Sequence, residues 1–198
     1  MIFTYGDKEI AWLSQRDAIL GEAISSMGMI HREVYPDLFC GLIRTIIAQQ
    51  ISRQAVKTIW QRLEDLLITV NPLNVLNKSE SEIQRCGLTH RKAEYILNAA
   101  RKVTDGALNI TRLHDLTDAE VIRELMQLDG VGLWTAEMLL ILSLQRSDIL
   151  SYGDLGIRKG MMRLYGYESL SRQKFEAHRL VYSPHCSVAS LYLWAMSP

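Results

Sequence analysis

Apolar residues recur along this chain at intervals of three and four, the spacing of one helix face. Leu13, Ile19, Leu20, Ala23 and Ile24 form such a stripe within residues 10–27. Leu42, Ile43, Ile46 and Ile47 form the next, within residues 38–49, entered through Tyr35-Pro36-Asp37. Asp37 suits the N-cap there, because its side chain can accept from the free N–H groups of a first turn. Val56, Ile59, Trp60, Leu63 and Leu67 predict a helix over 53–67. Ala93, Ile96, Leu97, Ala100 and Val103 predict one over 91–105, ended by Gly106. A short helix is expected after the Asn71-Pro72 turn and another over 79–86, before Gly87. Toward the C-terminus the pattern predicts helices over 155–164, 171–181 and 186–195. No stretch alternates like a strand. The expected fold is all-α, about ten short helices that must be held by packing.

Residues 118–144 form a distinct pair. Val121, Ile122, Leu125 and Leu128 stripe the first segment. The second, from Leu133 to Leu144, is apolar almost all round, which predicts a buried helix. Only Asp129-Gly130-Val131-Gly132 joins them, so a tight helical hairpin is expected. Glycine tolerates positive φ and lets a partner approach the backbone closely. The second helix would open at the hairpin tip with N–H groups that suit an anion, a DNA phosphate being an obvious one. Taken alone, Gly-x-Gly fits an ordinary helical corner with a glycine C-cap better than a ligand site.

Composition narrows the class. The 198 residues suffice for one large domain or two small ones. Lys+Arg and Asp+Glu are both 22, so any DNA-binding surface must be local rather than a general basic coat. Neutrality also keeps open a helical interaction protein with no DNA partner. No apolar run has membrane-span length, and the N-terminal residues do not read as a secretion signal. Three widely spaced cysteines (Cys40, Cys86, Cys186) point to a reduced, cytoplasmic protein and exclude a four-cysteine cluster in this chain. His185 and Cys186 have no second pair near them and read as structural.

Asp154 stands out in Ser151-Tyr152-Gly153-Asp154-Leu155-Gly156-Ile157-Arg158-Lys159-Gly160. An N-cap is the plain reading of an Asp in that setting. Arg158 and Lys159, one turn on, give the segment a local positive charge that suits phosphate, though such a run is often only a solvated helix face.

The hairpin followed by Gly-Asp-Leu-Gly-Ile-Arg-Lys-Gly resembles the helix-hairpin-helix superfamily of DNA glycosylases, and its branch acting on 3-methyladenine in particular. The resemblance spans most of the chain: residues 38–52 ending in Gln49-Gln50-Ile51-Ser52, Arg91-Lys92-Ala93-Glu94-Tyr95, residues 132–140, the Asp154 segment, and residues 187–194. It implies two lobes with a cleft between them, residues 36–146 forming one and residues 1–35 with 147–198 the other. It implies that Asp154 is the catalytic carboxylate. Gly130, Val131, Gly132, Trp134 and Thr135 match the hairpin on the phosphate, with Arg158 and Lys159 also toward DNA. Gln50 stands where a wedge fills the gap left by a flipped base, with Ser52 beside it. Trp134, Met138, Tyr152 and Trp194 match the base pocket. In relatives, hairpin carbonyls hold a monovalent cation; here Met126, Leu128 and Val131 would offer them to sodium or potassium. No other cofactor is implied. The expected partner is duplex DNA with damaged bases, and the expected state a monomer without an iron–sulfur cluster.

Departures from the family sharpen this. Lyases acting on oxidised bases carry a Lys where this chain has Trp134, so no Schiff-base nucleophile is expected. Asp129 stands where relatives often have Pro, placing an acid beside the phosphate site. Met138 replaces an aromatic of some relatives, which leaves substrate breadth open. The expectation is a monofunctional alkylbase glycosylase of base excision repair. The alternatives are a glycosylase for hypoxanthine or uracil and a non-catalytic damage-binding module.

Overall fold

The computed structural model describes residues 1–197. Within them the chain forms α1 (Asp7–Arg16), α2 (Ala18–Met27), α3 (Leu38–Ala48), α4 (Arg53–Leu67), α5 (Pro72–Leu76), α6 (Glu80–Gln84) and α7 (His90–Thr104). A 3-10 turn at Thr111–Asp115 precedes α8 (Asp118–Leu125), α9 (Leu133–Leu142), α10 (Leu155–Tyr165), α11 (Arg172–Tyr182) and α12 (Cys186–Met196). The fold is all-α, with twelve helices rather than ten among the described residues. Its one extended pairing there is an isolated bridge between Ile2 and Glu33. No helix among them is long and apolar enough to cross a membrane.

Side-chain caps explain most of the starts. Asp37, Ser52, Asn71, Ser79, Thr89, Thr117, Asp154 and Ser171 each sit in extended backbone and accept from an N–H of the first turn that has no partner within its helix. The same device corrects the helix expected over residues 10–27. Asp17 adopts φ −140° and accepts from Leu20 N at 2.9 Å, ending α1 and starting α2. The apolar stripe continues across this break and gives no sign of it.

The chain divides into two compact units, Met1–Val34 with Leu140–Pro198, and Tyr35–Leu139. The second change of unit falls inside α9; the boundary that the resemblance implies is 146–147. In the Tyr35–Leu139 unit, α3 is the core: Leu42, Ile43, Ile46 and Ile47 have no exposed surface, and α4 and α7 pack on it. Burying each such side chain contributes about 1.5–3 kcal/mol. In the other unit α12 is central, buried from Cys186 to Trp194, with α10 against it. Gly160 permits that contact, because a Cβ there would lie 1.9 Å from the carbonyl oxygen of Leu193.

Candidate active site and hairpin

Asp154 caps α10 and is 8% exposed. Its Oδ1 accepts from Ile157 N at 2.8 Å and from the indole Nε1 of Trp194 at 2.9 Å. Two donors on one oxygen fix the orientation of the carboxylate. The glycines after it make this arrangement possible. A Cβ on Gly156 would lie 3.0 Å from Trp194 Cδ1 and 3.1 Å from Asp154 Oδ1. Gly156 and Gly160, four residues apart, share the face of α10 that meets α12.

The segment leading to Asp154 is also held by α12. Ile149 N donates to Ser187 Oγ at 3.1 Å, and that hydroxyl donates to Arg146 O at 2.6 Å. Ser190 Oγ donates to Ile149 O at 3.2 Å. Both serines are fully buried. One helix therefore supplies the anchor for the incoming chain and the donor to the carboxylate.

Trp194 was expected as a pocket wall; its hydrogen bond to Asp154 was not foreseen. Arg32 was missed altogether. Its guanidinium carbon lies 5.0 Å from the Trp194 ring centre, within cation–π reach, and Phe3 N holds its backbone carbonyl at 2.8 Å. Arg32 follows the second helix by several residues and carries no sequence motif.

Tyr152 and Arg158 have partners near Asp154 that the resemblance did not imply. Tyr152, expected in the base pocket, packs edge-on against Phe175 at 5.1 Å and donates to Leu170 O at 3.4 Å. The guanidinium carbons of Arg158 and Arg172 lie 5.3 and 5.2 Å from its ring centre. Arg158, expected on DNA, is thus half-buried over Tyr152 rather than solvated, while Lys159 is exposed. The i,i+4 spacing gives Arg158 its place on the face of α10 but not its swing onto an aromatic ring.

In the Tyr35–Leu139 unit the hairpin forms as expected. Leu128 N donates to Leu125 O at 3.0 Å, Val131 N to Leu128 O at 3.1 Å, and Ala136 N to Gly132 O at 3.1 Å. The two glycines differ in kind. Gly130 has φ +74°, and a Cβ there would lie 2.1 Å from the Tyr95 ring. Conformation and packing both require glycine at that point. Gly132 has ordinary φ and nothing within 4 Å of a would-be Cβ. No internal contact calls for glycine at 132, which lies directly before the first turn of α9. Leu133 beside it is 45% exposed, Trp134 is half-buried, and Met138 is buried.

On the flanks of the hairpin, Gln49 and Lys92 make contacts for which the resemblance implied no role. Gln49 Nε2 donates to Gly130 O at 2.9 Å and to Thr135 Oγ1 at 3.0 Å. Lys92 Nζ donates to Ile47 O at 2.8 Å and Gln49 O at 2.6 Å, and burial lowers its pKa. Gln50 is exposed with φ +58°, and Ser52 caps α4 through Ala55 N at 3.3 Å. Asp129 accepts from Asn98 Nδ2 at 3.3 Å, which anchors the acid that replaces proline. Of the three carbonyls that the resemblance offers to a monovalent cation, those of Met126, Leu128 and Val131, that of Leu128 accepts from Val131 N at 3.1 Å. Lys102 Nζ already sits on Gln127 O there, at 2.5 Å.

All three cysteines are free thiols. Burial pushes the Cys40 thiol up to about 12 and raises those of Cys86 and Cys186, so none is a thiolate at neutral pH.

An all-α fold, a glycine hairpin and a buried carboxylate capping a later helix describe a class of DNA repair proteins. Residues 43–184 match the HhH-GPD superfamily of base excision DNA repair proteins, and the chain belongs to that family. Among curated proteins it is 27% identical, over 90% of this chain and 79% of the relative, to DNA-3-methyladenine glycosylase 1 of Schizosaccharomyces pombe. A crystal structure of DNA-3-methyladenine glycosidase from Bacillus halodurans superposes with a TM-score of 0.84 and 31% identity, covering 98% of this chain and 91% of that one. The S. pombe 3-methyladenine DNA glycosylase Mag1 in complex with abasic DNA gives a TM-score of 0.86 at 26% identity, covering 95% of each chain.

Proposed function

We propose that this chain is a monofunctional DNA glycosylase that flips alkylated bases of the 3-methyladenine type out of duplex DNA and excises them. The observation that carries this reading is Asp154, a buried carboxylate whose Oδ1 is fixed by Ile157 N and Trp194 Nε1. A base inside a duplex is out of reach, so it must first be extruded, at a cost of a few kcal/mol. N-alkylated purines stack and pair poorly, which lowers that cost. They also carry a positive charge, so the base leaves without being protonated by the protein.

Cleavage of the C1′–N bond sends its electron pair to the base and leaves positive charge on the sugar. A preoriented carboxylate stabilises that charge, and it can orient the water that adds to C1′. The proton of that water passes to solvent, and the products are a free base and an abasic site. In this reading Gly132 and the opening turn of α9 hold a phosphate, and Gln50 fills the space of the extruded base. Trp134 and Met138 face the extruded base, and Trp194 supports Asp154 through its indole N–H. A sodium or potassium ion on the carbonyls of Met126, Leu128 and Val131 would add positive charge next to the phosphate.

The test is release of methylated bases from duplex DNA, with the products treated with borohydride. Free base should appear, and no protein–DNA adduct should form, because no amine occupies position 134. A trapped adduct would refute the monofunctional assignment. A lack of base release across a panel of methylated, hypoxanthine and uracil duplexes would refute the glycosylase reading.

A further inference from the structure

We infer that Gln49 is a positioning residue that locks the Gln50 turn to the hairpin, so that gripping the DNA backbone and extruding the base act as one rigid movement. The inference rests on the glycosylase reading above and adds a residue to it. Gln49 follows the last residue of α3, and only Gln49 to Ser52 lie between α3 and α4. The turn is strained, since Gln50 holds φ +58°, a region a residue with a side chain keeps only when its surroundings impose it.

Two contacts impose it. From one side, Lys92 Nζ grips Ile47 O and Gln49 O, satisfying carbonyls that the end of α3 leaves without partners. From the other, the Gln49 amide donates to Gly130 O and Thr135 Oγ1. Gly130 O can only accept, so the amide nitrogen must face it. Gly130 lies in the hairpin turn and Thr135 in the first turn of α9. One amide therefore bridges both sides of the tip, with the Tyr95 ring packed under Gly130. Thr135 is 2% exposed, so its bond to Gln49 is part-buried, while the bond to Gly130 O is exposed. The Gln50 side chain is exposed on the same turn. The turn cannot shift against the hairpin without breaking both amide bonds.

The test compares Gln49→Met, of similar length and without a donor, with Gln49→Glu, which presents no N–H to Gly130 O. Lys92→Met loosens the turn from its other side and serves if either variant folds poorly. Base release is followed in single turnovers from a lesion in a fully paired duplex and from the same lesion in an unpaired bubble. The Gln49 variants should slow release from the paired duplex by about tenfold or more and from the bubble by less than about threefold, because the bubble needs no extrusion. Affinity for an abasic-site duplex should stay within about threefold. Equal slowing on both substrates, or none on either, would overturn the assignment. A parallel reading uses Asp154→Asn protein and 2-aminopurine beside the lesion, which reports extrusion without cleavage. There the Gln49 variants should lower the fluorescence rise, and an unchanged rise would overturn the inference even if the chain released no base at all.

Discussion

Trp194 donates its indole N–H to Asp154 Oδ1 across 2.9 Å, joining the last buried turn of α12 to the residue that starts α10. The bond turns an apparent core aromatic into part of the carboxylate's support. Trp194→Phe keeps an aromatic side chain, smaller than indole, and removes the donor. A hydrogen bond to a charged group contributes about 1.5–3 kcal/mol, so base release should slow by about tenfold or more. Single-turnover rates check this, and an unchanged rate would make the bond incidental to catalysis.

Gly160 and Gly156 should respond differently to alanine. At Gly160 a Cβ would meet the Leu193 carbonyl at 1.9 Å, and neither backbone can yield without separating α10 from α12. Gly160→Ala should cost about 1–3 kcal/mol or more of stability, read as a lower melting temperature. At Gly156 the Cβ would be 3.0 Å from Trp194 Cδ1 and 3.1 Å from Asp154 Oδ1. Gly156→Ala should affect base release more than melting. A large fall in melting temperature at both positions would refute the distinction.

Gly130→Ala combines a φ of +74° with a Cβ 2.1 Å from the Tyr95 ring. It should destabilise the hairpin by several kcal/mol, adding left-handed strain of about 1–2 kcal/mol to the ring displacement. Gly132→Ala, which meets nothing within 4 Å, should melt like the parent yet bind abasic-site DNA more weakly. Thermal melts paired with DNA titrations test both. Parent-like DNA binding by Gly132→Ala would remove the phosphate role from that glycine.

Acid should weaken the unit that contains His178 before it weakens the carboxylate caps. Desolvation lowers the His178 pKa below 6.5, with Asp17 acting in the opposite direction. The folded state therefore binds this proton less readily than the unfolded chain does, and stability falls as pH drops through 6.5 toward the lowered value. Glu9 and Glu120 have depressed values, so their contributions persist to lower pH and fade only as they protonate. Denaturant melts across that range should show a slope that His178→Gln flattens. The same slope in the variant would place the acid sensitivity elsewhere.

The fold was largely legible because its signals are local. A cap and an apolar stripe bound α4 at Arg53–Leu67, as the spacing predicts, and Ser52 supplies the cap. The hairpin was read from two apolar segments with glycines between them, and Asp154 was singled out through the family resemblance. What escaped depends on contacts distant in sequence. Gln49 meets Gly130 and Thr135 across 81 and 86 residues, and Trp194 meets Asp154 across 40. No periodicity encodes such pairs. The break at Asp17 escaped for another reason: the stripe runs through it, and only the side-chain bond to Leu20 N marks it. The placement of Arg158 over Tyr152 escaped because neither charge nor spacing marks a contact with an aromatic ring.

Asp154→Asn tests the central claim most directly. Asparagine keeps an oxygen that can accept from Ile157 N and Trp194 Nε1, so it removes the charge with little change of shape. Single-turnover base release from methylated duplex DNA is measured beside affinity for an abasic-site duplex. Release should fall by about a hundredfold or more while affinity stays within about threefold, since only charge built up in the transition state loses its partner. Release at the parent rate would contradict the assignment of Asp154 and, with it, the proposed mechanism.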